Sequence, residues 1–390
     1  MTSAHQAKDF VILWDVRQDA PGLLHAHPAL GSILESLRDA SWLVQELAPF
    51  DNGVEVRPFR HLRAFYRRIP TGVIAVKGSE PLAGTVEPYL DAMQQFRIDY
   101  PARGRSLFSA LEHFPLVEQK IPLAVTAAEA IEDAHAAVKI QKAHLAQFKA
   151  LACVPLPLAV IGWPQHVADK HLSTLRTKLS QRAMRIVEQQ IAGGLGAFVY
   201  YYPCIPLRVA HLPTILGQAD GAIAWRAKLS TLCNPNATIN LWIDLVARFL
   251  SLGFMASSIE TLGVGHCLEA KNAVIDGGFV DLGSIIDMAS IQSEQMFAET
   301  MLATIADLTK TVRDFLLGQA IDVEAEYRNP SLVFIQLMQH LLPALSARVR
   351  AYPAKDPRVS RFFDESDFHA AVGNGLGALY PPTRAQRGHE

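Results

Sequence analysis

The sequence predicts a mixed α+β chain, and three observations carry that expectation. Short β-branched or aromatic runs recur at residues 10–16 (FVILWDV), 71–78 (TGVIAVKG), 155–161 (PLPLAVI) and 197–202 (AFVYYY). Long stretches with helical apolar spacing lie between and after them, at 126–151, 170–191, 239–252 and 290–317. Finally, residues 263–283 (GVGHCLEAKNAVIDGGFVDLG) contain Asp276-Gly277-Gly278 between two apolar runs. That is a hairpin signal, because primed turns need φ > 0 at their central positions and glycine reaches it without steric cost.

Composition narrows the function classes. The 390 residues are half hydrophobic and 19% charged, with a net charge of −2 and a pI near 6.7. Such a balance makes no electrostatic case for nucleic acid or membrane as partner. The four cysteines (Cys153, Cys204, Cys233, Cys267) are widely spaced and form no CxxC, so reduced thiols in a cytoplasm are expected. The opening MTSAHQAKDF lacks the layout of a signal peptide. The longest apolar run, 153–163, contains Pro155 and Pro157 and is too short to span a bilayer.

Taken in order, residues 10–16 read as a short buried strand, followed by a helix around 33–47. The run 71–78 is a strand that ends in Lys77 and then Gly78. Lysine at the end of a buried strand can aim its ammonium at phosphates from a rigid base, as the strand lysine of kinase N-lobes does. It wants a carboxylate on a neighbouring helix; Glu80, Glu87, Glu112 and Glu118 are at hand, and Glu87 is favoured. Thr126-Ala-Ala-Glu129 is a capping box opening a helix. The helix over 170–191 carries Lys170, Arg176, Lys178, Arg182 and Arg185, which read as a solvated face. Two strands, 197–202 and 207–210 (LRVA), are expected around Pro203 and Pro206, with Arg208 as a structural ion pair or a phosphate clamp. Over 239–252, Leu241, Trp242, Leu245, Val246 and Phe249 form an apolar face and Gly253 stops the helix. Ser290 is the expected cap of a helix ending at Gly318, and a further helix from Ser331 is interrupted at Pro343.

The hairpin carries the chemistry. Asn272 enters it and Asp281 leaves it nine positions later (272 to 281), so both side chains can share one mouth. An amide oxygen and a carboxylate make a hard-oxygen pair suited to Mg²⁺. A surface hairpin that uses Asn and Asp as turn residues is the plain alternative. The order His266, Asn272, hairpin, Asp281-Leu282-Gly283 is how kinase-like folds hold metal-bound ATP. Other chemistries lack their residues: no Gly-x-Ser-x-Gly, no His-Glu-x-x-His and no P-loop occur. Gly193-Gly-Leu-Gly196 follows a helix rather than a strand, unlike a dinucleotide loop. His266 and Cys267, adjacent on one loop, do not form a thiol–base pair.

Lys77-Gly78, Leu207-Arg208-Val209-Ala210 and Gly265-His266…Asn272…Asp281-Leu282-Gly283 resemble, in order, landmarks of the selenoprotein O family. The likeness covers 70–285 in outline. It implies a kinase-like protein adenylyltransferase that binds ATP in a flipped orientation. This chain departs from the family at three places. Lys271 stands where the family usually has Asp, a candidate base; His266 to Asn272 is one position shorter; and Ser79-Glu80-Pro81 replaces a glycine-rich basic stretch. Glu269 is the candidate replacement carboxylate. Leu268-Glu-Ala-x-Asn is also similar to siderophore synthetases, which adenylate a carboxylate.

The expectation is therefore an α+β, protein-kinase-like two-lobed fold with a largely helical C-terminal lobe. Its parts are 1–125 with the strand lysine, 126–237 completing the N-lobe, 238–380 carrying the metal hairpin, and a tail at 381–390. The expected activity is Mg²⁺- and ATP-dependent nucleotidyl or phosphoryl transfer in the cytoplasm, to a protein hydroxyl or a small carboxylate. Lys77, Glu87 and Arg208 serve the nucleotide, Asn272 and Asp281 the metal, and Glu269 and His266 the proton transfers. A carboxylate-activating ligase and an inactive kinase-like scaffold are the alternatives, the latter favoured by the lysine at 271.

Overall fold

The structure, a computed structural model, describes residues 10–27, 29–36, 64–78, 124–177, 181–204, 206–217, 219–258, 265–266, 268, 270, 272–282, 285–318 and 331–364. It is a mixed α+β chain that divides into two compact units, Met1–Lys142 with Pro155–Ile205 and Ala143–Val154 with Pro206–Glu390.

The first unit is built on one antiparallel sheet. Strand β1 (Val11–Asp15) leads into the short helices α1 (Val16–Asp19), α2 (Pro21–His25) and α3 (Ala29–Ser36). Then come β2 (Ala64–Ile69), β3 (Gly72–Lys77), β4 (Val125–Thr126), α4 (Ala127–Phe148), β5 (Leu156–Gly162), α5 (Gln165–Arg176), α6 (Gln181–Ile191) and β6 (Leu195–Tyr202). The strand order is β1-β5-β6-β3-β2, with β4 also on β6. All eight residues of β6 are buried, as are Val73–Val76 of β3. A strand flanked on both sides reads as a continuous apolar run, and both do.

Three expectations change here. The 10–16 run lies at the end of the described strand order and is buried only in its second half, with Val11 61% exposed and Trp14 6%. Strand β2 is absent from the sequence expectation because Arg67 and Arg68 break the apolar pattern. The stretch 170–191 is two helices. Thr177 closes α5 by turning its hydroxyl and its N–H onto the Thr174 carbonyl, at 2.7 and 3.3 Å. Of the helix expected over 33–47, residues 37–47 lie outside the described residues.

In the second unit a 3₁₀ turn (Val209–His211) runs into α7 (Leu212–Leu216), followed by α8 (Ala222–Leu229) and α9 (Pro235–Ser251). Short strands β7 (Phe254–Met255), β8 (Ser257–Ser258), β9 (Gly265–His266) and β10 (Ile286–Asp287) pair as β7 with β10 and β8 with β9. Helices α10 (Glu294–Leu317) and α11 (Leu332–Ala351) pack against each other and against α9, and α12 (Pro357–Phe362) follows. Trp242 of α9 meets Phe315 of α10 edge-on, with ring centroids 5.0 Å apart.

The caps explain where these helices begin and end. Helix α9 starts at Pro235, before the expected 239, because Asn234 caps it by accepting from Ala237 N–H at 3.2 Å. Ser293, not Ser290, caps α10; the Ser290 hydroxyl instead donates to Asp287 O at the end of a 3₁₀ turn. Gly318 ends α10 with φ +67°. Pro343 does not interrupt α11, which runs through it. A proline removes one backbone donor, and burial of Phe334, Met338, Leu341, Leu342, Leu345 and Val349 holds the helix together. By length and composition α11 could cross a bilayer; in this structure it lies against α9 and α10. Leu241, expected inward, is 51% exposed.

Leu241 nonetheless shapes the hairpin. Gly277 has φ +95°, and a Cβ there would lie 2.3 Å from Leu241 Cβ. Both the backbone angle and the space require glycine. Gly277→Ala is expected to lower stability by about 1–2 kcal/mol in urea denaturation. Leu241→Gly in the same background, which removes the clashing Cβ, should recover only part of the loss, because the φ strain persists.

Candidate functional site

Lys77 closes β3 as the sequence suggests, and its Nζ donates to Asp133 Oδ2 at 2.7 Å. Both side chains are largely withdrawn from water, at 15% and 9% exposure, so each depends on its counter-charge. The expected partner, Glu87, lies outside the described residues; the carboxylate that meets Lys77 among those described is Asp133 on α4. Asp133 sits among buried Ala130, Ala134 and Ala137. A carboxylate on an otherwise apolar helical stripe needs a cation, and that was the legible signal.

In the second unit the hairpin is tighter than two strands. Ala273 and Phe279 form a single bridge, and Val274 N–H donates to Gly278 O at 2.9 Å. Val280 N–H donates to Asn272 O at 3.0 Å. That bond sets Asn272 opposite Val280, so residues 272 and 281 lie at the same end of the turn. Asn272 is buried and Asp281 half-buried.

The segment 207–210 is not a strand. Arg208 makes one antiparallel bridge with Val274, and the chain then winds into the 3₁₀ turn. Three backbone bonds join it to the hairpin region: Ile275 N–H to Leu207 O at 3.0 Å, Val209 N–H to Ala273 O at 2.9 Å, and Ala210 N–H to Ala270 O at 2.9 Å. The guanidinium-bearing segment is thus fixed beside the one that bears Asn272.

His211, which the sequence reading passed over, is buried behind Arg208 and accepts from Arg208 N–H through Nδ1 at 3.4 Å. Burial, and then the charge of Arg208, lower its pKa to about 3. The ring is therefore neutral, and positive charge at this point belongs to Arg208.

The remaining candidates are placed in part. His266 lies in β9, its backbone paired with Ser257. Glu269, Lys271 and Gly283 lie outside the described residues. Among the described residues no group of three or more His, Cys, Asp or Glu side chains forms a ready metal cage. Mg²⁺ needs none, since it is held by one or two protein oxygens together with water and phosphate. Asn272 and Asp281 supply hard oxygen donors of that kind. No family model, curated protein or solved structure matches the chain.

The neutral histidine has a consequence in pH. Its folded pKa lies below the unfolded value of about 6.5, so the unfolded chain binds the proton more readily. Stability from this group is intact above pH 6.5 and falls progressively as the pH drops towards 3. The loss is expected to reach about 2 kcal/mol at pH 5 relative to pH 7. His211→Asn, which keeps an acceptor for Arg208 N–H, should remove that component of the urea-denaturation pH profile.

Proposed function

We propose that the chain is a Mg²⁺- and ATP-dependent transferase of AMP or phosphate, working on a protein-kinase-like two-lobed frame. The observation that supports the reading is the stitched hairpin, whose backbone bonds join the chain at Asn272 to the segment bearing Arg208 and bring residue 281 to the same end of the turn. Asn272 and Asp281 hold Mg²⁺, and Arg208 binds phosphate. Lys77, paired with Asp133 within the first unit as a strand lysine is with a helix carboxylate, is read as a phosphate-binding cation in its own right. Bound Mg²⁺ would neutralise phosphate charge, and the protein's own part is positioning. The resemblance to the selenoprotein O family supports AMP as the group transferred.

The test is thermal stabilisation by ATP, since a ligand that binds only the folded state stabilises it, by about 2.7 kcal/mol at a hundred times Kd. The shift should require Mg²⁺, and Asp281→Ala should abolish it. An equal shift in Asp281→Ala would refute the assignment. ATP labelled separately at the α- and γ-phosphate then distinguishes AMP transfer, phosphate transfer and a scaffold that moves neither.

One residue favours a small carboxylate as acceptor. Lys271 stands where a base would precede Asn272, and an ammonium deprotonates nothing unless its pKa falls far below about 10.4. An acceptor that is already anionic needs no base. In a screen of pyrophosphate and phosphate release, carboxylic acids should therefore support turnover, and hydroxyl-bearing proteins should do so only with Lys271→Asp. Robust modification of a protein hydroxyl by the wild type would exclude this acceptor class.

A further inference from the structure

The end of β3 is held by a crossing of backbones that leaves no room for side chains. Gly78 has φ +97°, and a Cβ there would lie 2.4 Å from Gly196 O and 2.8 Å from Val125 Cβ. A Cβ on Gly196 would lie 2.8 Å from Ala127 Cα and 2.9 Å from Ile161 O. The end of β3, strand β4, the end of β5 and the start of β6 therefore meet at van der Waals contact. The same point starts α4. Val125 pairs with Gly196, Thr126 with Leu195, and Ala127 N–H donates to Gly194 O at 3.0 Å. Lys77 lies one residue before this crossing and Asp133 two turns after it.

Trp163 closes the crossing. Its backbone N–H donates to Leu195 O at 2.9 Å, and its indole Nε1–H donates to Gly78 O at 2.8 Å. Trp163 is 9% exposed and Gly78 is buried, so the Gly78 carbonyl depends on a protein donor rather than on water. This bond fixes the direction in which the chain leaves Lys77.

We propose that Trp163 is a positioning residue for the Lys77–Asp133 pair and acts through the Gly78–Gly196 crossing. Its indole N–H sets the end of β3, and the β4–β6 pairing sets the start of α4. The ammonium and its carboxylate are thereby fixed from both sides by one joint. The significance for nucleotide binding rests on the proposed role of Lys77; the effect on the pair itself does not.

The experiment labels amines of the full chain with acetic anhydride and follows Lys77 by peptide mass spectrometry, with exposed Lys139 and Lys170 as references. Trp163→Phe keeps an aromatic ring and removes the donor, and Asp133→Asn removes the counter-charge. Lys77 is expected to react about fivefold faster in Trp163→Phe, and at least as fast in Asp133→Asn, with the references unchanged. Mg²⁺·ATP should bind about fivefold more weakly to Trp163→Phe. Should Trp163→Phe fail to fold, benzothienylalanine at position 163 keeps the two-ring shape, lacks the N–H, and carries the same comparison. Unchanged Lys77 labelling in a folded variant overturns the proposal. Faster labelling with unchanged nucleotide affinity overturns its bearing on the site. A wild type that does not bind Mg²⁺·ATP overturns the proposed function instead, while the labelling still decides whether Trp163 positions Lys77.

Discussion

A buried turn of backbone must have every N–H and C=O accounted for, and the 272–281 hairpin is too short to do this alone. Its own ladder supplies Val274 to Gly278, Gly277 to Val274 and Val280 to Asn272. The rest is met from outside. Trp242 Nε1–H donates to Val274 O at 3.0 Å, and the Thr238 hydroxyl to Ile275 O at 2.7 Å, both from α9. Leu207 O and the Val209 N–H serve one edge, while Phe279 N–H donates to Cys153 O at 3.1 Å on the other. The Asp276 carboxylate accepts from Gly278 N–H within the turn and from the Cys153 thiol. A helix, the 207–210 segment and the chain at Cys153 are thus all committed to one ten-residue turn. Moving it would leave buried polar groups unpaired at about 1–3 kcal/mol each.

The two compact units place their charged groups by the same means. Lys77 stands at the end of a strand whose four preceding residues are buried, and Arg208 is pinned by a bridge and its flanking bonds. In neither case is the cation on a free loop, so the backbone that carries it is already ordered. The supports differ in kind. In the first unit close packing against glycine backbones sets the geometry, and in the second it is set by hydrogen bonds to a hairpin.

Much of this was legible in the sequence, and what was not has physical causes. The apolar runs at 71–78, 155–161 and 197–202 became strands because a continuous apolar run of that length has one home, the middle of a sheet. Asp-Gly-Gly announced its turn, although only Gly277 takes positive φ, so the turn is not the primed type with two such residues. Strand β2 was hidden by its arginines, and the helix over 170–191 concealed a break that depends on Thr177 turning back on its own helix. Segment 207–210 has strand composition, yet its partner is the hairpin and only Arg208 lies in register. Asp133 was missed because proximity in sequence favoured the glutamates after Lys77, whereas the partner is set by where β4 delivers α4. His211 gives no sequence signal, since a lone histidine shows neither its burial nor its neighbour.

Helix α10 extends the same logic to a residue far along the chain. It is buried almost throughout, yet Thr300, Thr304, Asp307, Thr311 and Asp314 recur at helical spacing, forming a polar stripe inside the protein. A buried hydroxyl must find an acceptor, and most of these threonines find one in their own helix. Thr300 donates to Met296 O and Thr304 to Thr300 O, and off the stripe Thr309 does the same to Ile305 O. Thr311 instead donates to Leu268 O, in the stretch leading to Asn272. Two residues further on, Ala270 O accepts from the Arg208 side through Ala210 N–H. The backbone ahead of Asn272 is therefore gripped from the central helix and from the arginine segment at once. An apolar helix could bury as much surface and still leave that backbone unheld, so the polar stripe ties the hairpin to the core of the second unit.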